Sequence, residues 1–99
     1  MIHHAVDAGN IEAVKWAVGK GVSVNVVDVY KNTPMHVAVM KKNLEMVKYL
    51  FKVGGDPLLT NKDKTSSLDL CIDSGGEMRE FFEVKKEYAG YFDDRSIPI

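Results

Sequence analysis

The feature that most constrains the fold of this chain is an internal repeat, because the sequence matches itself after a shift of 33 residues. The identical pairs are His3 and His36, Ala5 and Ala38, Val6 and Val39, Asn10 and Asn43, Glu12 and Glu45, Val14 and Val47, Lys15 and Lys48, and Gly21 and Gly54. A second shift aligns Leu68 and Cys71 with Met35 and Ala38, so a third copy follows. A period between about 20 and 50 residues is typical of stacked repeat architectures, in which each copy is one structural unit.

Each copy predicts two short helices. In the second copy Met35, Ala38 and Val39 have the i, i+3, i+4 spacing that puts apolar side chains on one face of a helix. The run from Leu44 to Phe51 repeats this spacing and predicts a second helix in the same copy. We therefore expect an all-α protein whose helices bury one face each.

The ends of these helices carry residues suited to capping. Thr33 is a natural N-cap, and Pro34 suits the first helical position, where a missing N–H costs nothing. The corresponding signals elsewhere are Ser66 with Asp69 as a capping box, Asn10 and Asn43 before the second helices, and Gly21 and Gly54 after them. Between Gly21 and Thr33 the run "VSVNVVDVYKN" is too rich in β-branched residues for a helix, and we expect a strand-like arm with a turn.

Taken together, these motifs resemble the ankyrin repeat. The resemblance rests on "TPMHVA" at residues 33–38, "NLEMV" at residues 43–47, and the arms at residues 22–31 and 55–64. It covers about residues 2–88 and implies a short solenoid of about three helix-turn-helix repeats joined by hairpin-like arms. The expected domain is residues 1–88, with approximate repeats 1–32, 33–65 and 66–88, followed by a tail at residues 89–99.

Three departures from the ankyrin pattern are visible. The glycine usual at the hairpin tip before the Thr-Pro motif is Lys31 in one arm and Lys64 in the other, which predicts a strained or altered turn. The third copy has Ser67 in place of proline and Asp69 in place of histidine. Its second helix, over residues 77–88, is expected to act as a polar terminal cap.

Composition excludes several classes of protein. Thirteen basic residues oppose fourteen acidic ones, so the net charge of −1 favours neither a nucleic-acid partner nor a polycation. No apolar run approaches the roughly 20 residues that span a bilayer, so we expect no membrane association. The lone cysteine, Cys71, excludes an internal disulfide and fits a reducing compartment, which predicts a soluble cytoplasmic or nuclear protein.

The histidines are interpreted as structural residues. His3 and His36 occupy one position in successive copies, and two ligands do not complete a zinc site. We expect each imidazole to bond a hydroxyl or backbone group at the start of its helix, and His4 to be exposed. No acid, base, nucleophile or metal ligands converge in the pattern, so we expect no cofactor, no metal and no enzymatic activity.

The resemblance implies a binding surface on the concave side of the stack, made of hairpin tips and the outer side of each first helix. These positions are Asp7 and Ala8 in the first repeat, Val29, Tyr30, Asn32, Met40 and Lys41 in the second, and Lys62, Asp63, Thr65, Asp73 and Ser74 in the third. Tyr30 and Met40 stand out, because aromatic residues and methionine are enriched at interface cores. Packing of Tyr30 on its own hairpin is an equal alternative.

The expected function is a non-catalytic protein-binding module, acting as a scaffold or as an inhibitor by occlusion. Lys41 and Lys62 would favour an acidic patch on the partner. Two alternatives stay open: a targeting or substrate-recruiting domain of a larger enzyme or signalling protein, and a purely structural spacer. The chain is expected to be a monomer or part of a longer array, and the identity of the partner protein is not encoded in the pattern.

Overall fold

The computed structural model describes residues 2–83, which form six helices in three consecutive pairs. The helices are α1 Ile2–Asp7, α2 Ile11–Gly19, α3 Pro34–Met40, α4 Leu44–Lys52, α5 Ser67–Ser74 and α6 Gly76–Glu83. This arrangement confirms the all-α repeat fold expected from the 33-residue period. The end of the expected terminal cap, from residue 84, and the tail at residues 89–99 lie outside the described residues.

The capping residues act as their sequence positions predict. Thr33 begins α3 by accepting a hydrogen bond from the His36 N–H, and Pro34 takes the first helical position. The side chains of Asn10 and Asn43 accept from backbone N–H groups three residues later in α2 and α4. Ser66 and Asp69 form the expected capping box of α5. Since each cap satisfies N–H groups that a helix leaves unpaired, the polar residues fix where the helices begin.

The core lies between the helices of each pair and between successive pairs. Each first helix packs against its own second helix, and α3 also packs against both α1 and α5. The fully buried side chains include Met35 from α3, Leu50 from α4 and Leu68 from α5. No single pair encloses a core by itself, so each repeat is stabilised mainly by its neighbours.

The segments between repeats differ from the strand-like arms expected from their β-branched residues. Within residues 2–83 no strand forms, and the arms consist of turns with one isolated antiparallel bridge between Thr60 and Ser66. The reason is geometric, because each arm turns back at its tip, over residues 28–32 or 61–65, after only a few residues. In both tips the first residue's N–H donates to the carbonyl of the fifth, at 3.1 Å from Asp28 to Asn32 and 2.9 Å from Asn61 to Thr65.

The two tips keep a left-handed turn without the usual glycine. Lys31 has a φ of 62° and Lys64 a φ of 61°, a region that side chains with a Cβ atom seldom adopt. Each lysine N–H donates to a carbonyl three residues earlier, at 2.9 Å in both tips. The expectation of a strained turn at these positions is confirmed, and the closed turn holds the strain in place.

Gly55 allows the closest backbone approach in the fold. Its N–H donates to the carbonyl oxygen of Leu50 at 2.7 Å, which turns the chain sharply after α4. A Cβ atom added to Gly55 would lie 2.8 Å from that oxygen and 2.8 Å from Cε of Met35. Only glycine therefore fits here without movement of the end of α4.

Candidate protein-binding surface

Asp28 organises the first hairpin tip. Its Oδ1 atom accepts hydrogen bonds from the N–H groups of Tyr30 and Asn32, both at 2.9 Å. Partial burial acts to raise the pKa of Asp28, but these two backbone donors outweigh it, and the pKa lies below its usual value of 3.8. The charged carboxylate thus stabilises the turn that presents Tyr30.

Asn61 has the same role in the second tip. It lies one 33-residue period after Asp28. Its Oδ1 atom accepts from the N–H of Asp63 at 2.9 Å and from the N–H of Thr65 at 3.1 Å. A carboxylate and an amide are interchangeable at this position because both offer an acceptor oxygen on the same short side chain.

Two hydrogen bonds join the tips to each other. The Lys62 N–H donates to the Tyr30 carbonyl oxygen at 2.9 Å. The Nδ2 group of Asn61 donates to Oδ1 of Asn32 at 3.0 Å. The two tips therefore form one continuous edge, in which the backbone positions of successive repeats are set relative to each other.

His36 ties this edge to the helices. Its Nδ1 atom accepts from the Thr33 N–H at 3.0 Å, and its Nε2 atom lies 2.8 Å from the carbonyl oxygen of Thr65 in the second hairpin tip. Because Nδ1 accepts, Nε2 carries the proton and donates to Thr65. Burial lowers the pKa of His36 below 6.5, and the bond to Thr65 only partly offsets this effect.

His3 departs from the expected role. Its Nε2 atom lies 2.7 Å from the carbonyl oxygen of Asn32 in the first hairpin tip, as that of His36 does in the second. The expectation of a bond at the start of the helix is correct for His36, through Nδ1, but is not met by His3. Within the described residues, Nδ1 of His3 is buried and has no hydrogen-bond partner. His4 is exposed, as expected.

A cavity of about 270 Å³ opens between the two hairpin tips and the first helices, and we call it the tip cleft. The residues lining it come from both tips, the end of α3 and the middle of α5: Tyr30, Asn32, Met40, Asn61, Lys62, Asp63, Thr65 and Leu70. Six of these eight residues belong to the predicted surface. The structure thus brings together six of the ten positions predicted in the second and third repeats.

Apolar side chains are unusually exposed around the tip cleft. Val29 is 74% exposed, Tyr30 is 64% exposed and Met40 is 51% exposed. The Tyr30 side chain faces solvent and lines a cavity shared with the next repeat. Exposed apolar groups that cluster at a concave site, and are not scattered singly, commonly mark a binding surface.

The lysines on this surface are not equivalent. Nζ of Lys41 lies 3.2 Å from Oδ1 of Asp7, so this pair joins the first two repeats. The amino group of Lys62 has no such partner within residues 2–83, and Lys62 is exposed at the edge of the tip cleft. Of the two lysines expected to face an acidic partner, only Lys62 therefore presents an uncompensated charge.

The remaining predicted residues lie outside the tip cleft. Asp73 and Ser74 line a neighbouring cavity of about 310 Å³, which shares Met40 and Leu70 with the tip cleft. Asp7 and Ala8 are exposed at the end of α1, and Asp7 is held by Lys41. The predicted set thus divides into a central cleft and two flanks.

Two residues of the tip cleft were absent from the predicted surface. Asn61 could have been found from its 33-residue spacing from Asp28, since both are turn-forming residues at equal positions in the two arms. Leu70 aligns with His4 and Val37, so the period placed it on the same face of a first helix. Whether Leu70 lines the cleft depends on how α3 and α5 pack against each other, and no feature of the sequence indicated that packing.

Other kinds of site find little support in the described residues. No group of three or more His, Cys, Asp or Glu side chains converges there in a way that could hold a metal ion. Cys71 is buried in α5, and burial raises its pKa to about 12, so its thiol stays protonated and unreactive near neutral pH. None of the six helices is both long and apolar enough to cross a membrane.

Several curated proteins are similar to this chain. Alpha-latrotoxin-Lt1a of Latrodectus tredecimguttatus is 33% identical over 82 residues, which cover 77% of the chain and 6% of the toxin. Putative ankyrin repeat protein FPV219 of Fowlpox virus is 31% identical over 84 residues, or 85% of the chain and 19% of the viral protein. Protein phosphatase 1 regulatory subunit 27 of Homo sapiens is 33% identical over 82 residues, or 83% of the chain and 53% of that protein.

The matched part of the chain therefore covers from 6% to 53% of the length of these relatives. A family model described as ankyrin repeats (many copies) matches residues 2–51, which is half of the sequence. That range contains both helices of the first two repeats and the first hairpin tip. With the 33-residue period, the capped helix pairs and the closed tips, this match shows that the chain belongs to the ankyrin repeat family.

Proposed function

We propose that this chain is a non-catalytic module that binds a partner protein on its concave side, centred on the tip cleft. Ankyrin repeats are protein–protein interaction modules, which supports binding as the activity. The location is supported by one observation above the others. Tyr30 and Met40 leave apolar surface exposed at a cavity that two repeats build together.

The chemistry of these two side chains suits an interface. Tyrosine presents a large apolar ring with a polar tip, so it can bury area and still satisfy its hydroxyl. Methionine is flexible and polarisable, and it adapts to irregular partner surfaces. Both side chains can be buried by a partner without leaving a charge unpaired.

The backbone beneath the tip cleft is held in a fixed shape. The Lys62 N–H bonds to the Tyr30 carbonyl, and the side chains of Asn32 and Asn61 bond to each other. A surface that is already ordered loses little conformational entropy when it binds, which favours affinity for a given buried area. We infer that the tips act as a rigid platform.

A binding assay with matched variants tests this proposal. The folded chain is immobilised, proteins retained from a cell extract are identified, and one retained protein is purified for affinity measurements. Tyr30→Ala and Met40→Ala should each weaken its binding by about 30-fold, the loss of about 2 kcal/mol expected at the centre of an interface.

Trp16→Ala provides the control. Trp16 is 68% exposed on α2, in the outer row of helices, and its ring contacts only the amino group of Lys20 among the described aromatic and cation contacts. Binding should not change in this variant. If Trp16→Ala weakens binding while Tyr30→Ala and Met40→Ala change it by less than about twofold, the partner lies elsewhere and the proposed surface is wrong.

The second candidate function is a targeting domain within a larger enzyme or signalling protein. It is favoured by the lengths of the relatives, since the chain covers only 6% of the latrotoxin and 53% of the protein phosphatase regulatory subunit. The latter is, by its name, a regulatory subunit of a phosphatase. The mass of the native protein that carries this sequence separates the two functions, because a free module of 11.1 kDa excludes the second.

A further inference from the structure

We propose that the tip cleft recognises a partner segment in which a bulky apolar side chain lies next to Asp or Glu. The apolar side chain enters between Tyr30, Met40 and Leu70, and the carboxylate pairs with the amino group of Lys62. This inference rests on the proposed function and specifies the chemistry of the partner at the same site.

The floor of the tip cleft is suited to an apolar group. Met40 from α3 and Leu70 from α5 line it from the helix side, and Tyr30 lines it from the tip. The cavity of about 270 Å³ is shared between two repeats, so it can receive a side chain but not a whole helix. Filling it removes exposed apolar surface of Tyr30 and Met40 from water, which is favourable by about 25 cal/mol per Å².

The polar rim of the tip cleft offers a donor for a carboxylate. The Asn32 side chain is already used inside the tips, since its Oδ1 atom accepts a bond from Asn61 and its amide also bonds to the Asp28 carboxylate. The amino group of Lys62 has no ion-pair partner within residues 2–83. It therefore calls for acceptor oxygens on the partner, which carboxylates supply best.

The charges of the two tips favour the same partner. The two tips hold three lysines, Lys31, Lys62 and Lys64, and two carboxylates, Asp28 and Asp63. The tips therefore carry one excess positive charge, so an acidic segment is attracted and a basic one is repelled. The Asp28 carboxylate is also engaged inside its own tip, where two backbone N–H groups bind it.

Lys41 lies close to this surface but does not share the role. Its amino group is 3.2 Å from the Asp7 carboxylate, which compensates its charge. The control for a charge reversal at Lys62 is therefore taken from outside the expected binding surface. Lys52 suits this purpose, because it is exposed at the end of α4, in the outer row of helices.

The test uses a random peptide library displayed on phage and selected against the whole folded chain. Selected peptides should contain a large apolar residue with Asp or Glu within two positions of it. A synthetic peptide of that sequence should bind Lys62→Glu at least about tenfold more weakly than the unchanged protein, and Lys52→Glu within about threefold, since a tenfold change corresponds to about 1.4 kcal/mol. Selection against Lys62→Glu should enrich Lys or Arg at the acidic position.

Folding of each variant is checked by thermal unfolding before binding is measured. Peptides that lose affinity with Tyr30→Ala but not with Lys62→Glu would overturn the acidic preference and leave the proposed function intact. Peptides that are insensitive to all of these variants would count against the tip cleft itself, and so against the proposed function. A selection with no enrichment would overturn recognition of a linear segment, while the extract experiment would still decide the proposed function.

Discussion

Nε2 of His36 lies 2.8 Å from the carbonyl oxygen of Thr65, so helix α3 is bonded to the second hairpin tip. Nε2 of His3 lies 2.7 Å from the carbonyl oxygen of Asn32, again 29 residues further along the chain. Each of these carbonyl oxygens also accepts a backbone N–H, from Asn61 in the second tip and from Asp28 in the first. The histidine thus adds a second donor to the carbonyl group that closes each hairpin tip.

His36→Ala should lower the free energy of unfolding by about 3 kcal/mol, because it leaves the buried Thr33 N–H without a partner, removes the bond to the Thr65 carbonyl and opens a cavity. Urea unfolding followed by circular dichroism measures the change. His4→Ala is the control. His4 is exposed in α1, next to His3, which is the equivalent of His36 in the first copy, so this change should lower the free energy of unfolding by less than about 0.5 kcal/mol. Similar losses in both variants would contradict the structural role of His36.

The stability of the protein should fall as the pH drops below about 6.5. The pKa of His36 is lowered in the folded state, so below its usual value of 6.5 the unfolded chain binds a proton that the folded chain does not. Stability is therefore full above this pH and decreases toward the lower folded pKa. Urea unfolding at about pH 7.5 and about pH 5.5 should show this slope, and His36→Gln should reduce it. Asp28, with its pKa below 3.8, stays charged across that range.

Lys31→Gly and Lys64→Gly should each stabilise the protein by about 0.5 to 1 kcal/mol. Both lysines have φ near +60°, where a residue with a Cβ atom costs about 1 to 2 kcal/mol and glycine does not. Part of this gain is lost because glycine gives the unfolded chain more conformational entropy. Melting temperatures of the free protein measure the effect. Lys20→Gly is the control: its φ is −89°, and glycine should bring no gain there. A loss of stability in both tip variants would contradict this prediction. It would show that the lysine side chains stabilise the folded state by more than the strain of their positive φ destabilises it.

Gly55→Ala should destabilise the protein by about 1 to 3 kcal/mol, because the new Cβ atom would meet the Leu50 carbonyl oxygen and force the end of α4 to shift. Gly19→Ala is the matched change, since no heavy atom lies within 4 Å of the added group and the residue is helical. That variant should gain about 0.5 to 1 kcal/mol from the higher helix propensity of alanine. Thermal unfolding of both variants gives the comparison, and equal effects would place Gly55 in a less crowded site.

Much of the fold could be predicted because its signals are local and repeated. Thr33 with Pro34 marked the start of α3, and Gly54, with a φ of 104°, marked the end of α4. A cap acts within one helical turn, so its identity and position suffice. The arms could not be read in this way. Their β-branched residues suggested strands, but the short distance to each tip leaves room only for turns.

The candidate site was predictable only in part, because it depends on contacts between repeats. The resemblance to ankyrin repeats implied that Tyr30 and Met40 lie on one side of the stack, and both line the tip cleft. The pairing of Lys41 with Asp7 could not be read from the sequence, since the two residues are 34 positions apart and meet only when α1 packs on α3. From charge alone, Lys41 and Lys62 were both expected to face an acidic partner. In the structure only Lys62 has no ion-pair partner among the described residues.

The histidine bonds between repeats also determine how the chain opens. Each bond joins a first helix to the hairpin tip that follows it. Within residues 2–83, the helix Pro34–Met40 is packed on both sides, against α1 and α5. Exposure of this helix to solvent requires both contacts to break, so its amide protons should be among the slowest of these residues to exchange with deuterium. The hairpin tips bonded to these helices should open to solvent together with them.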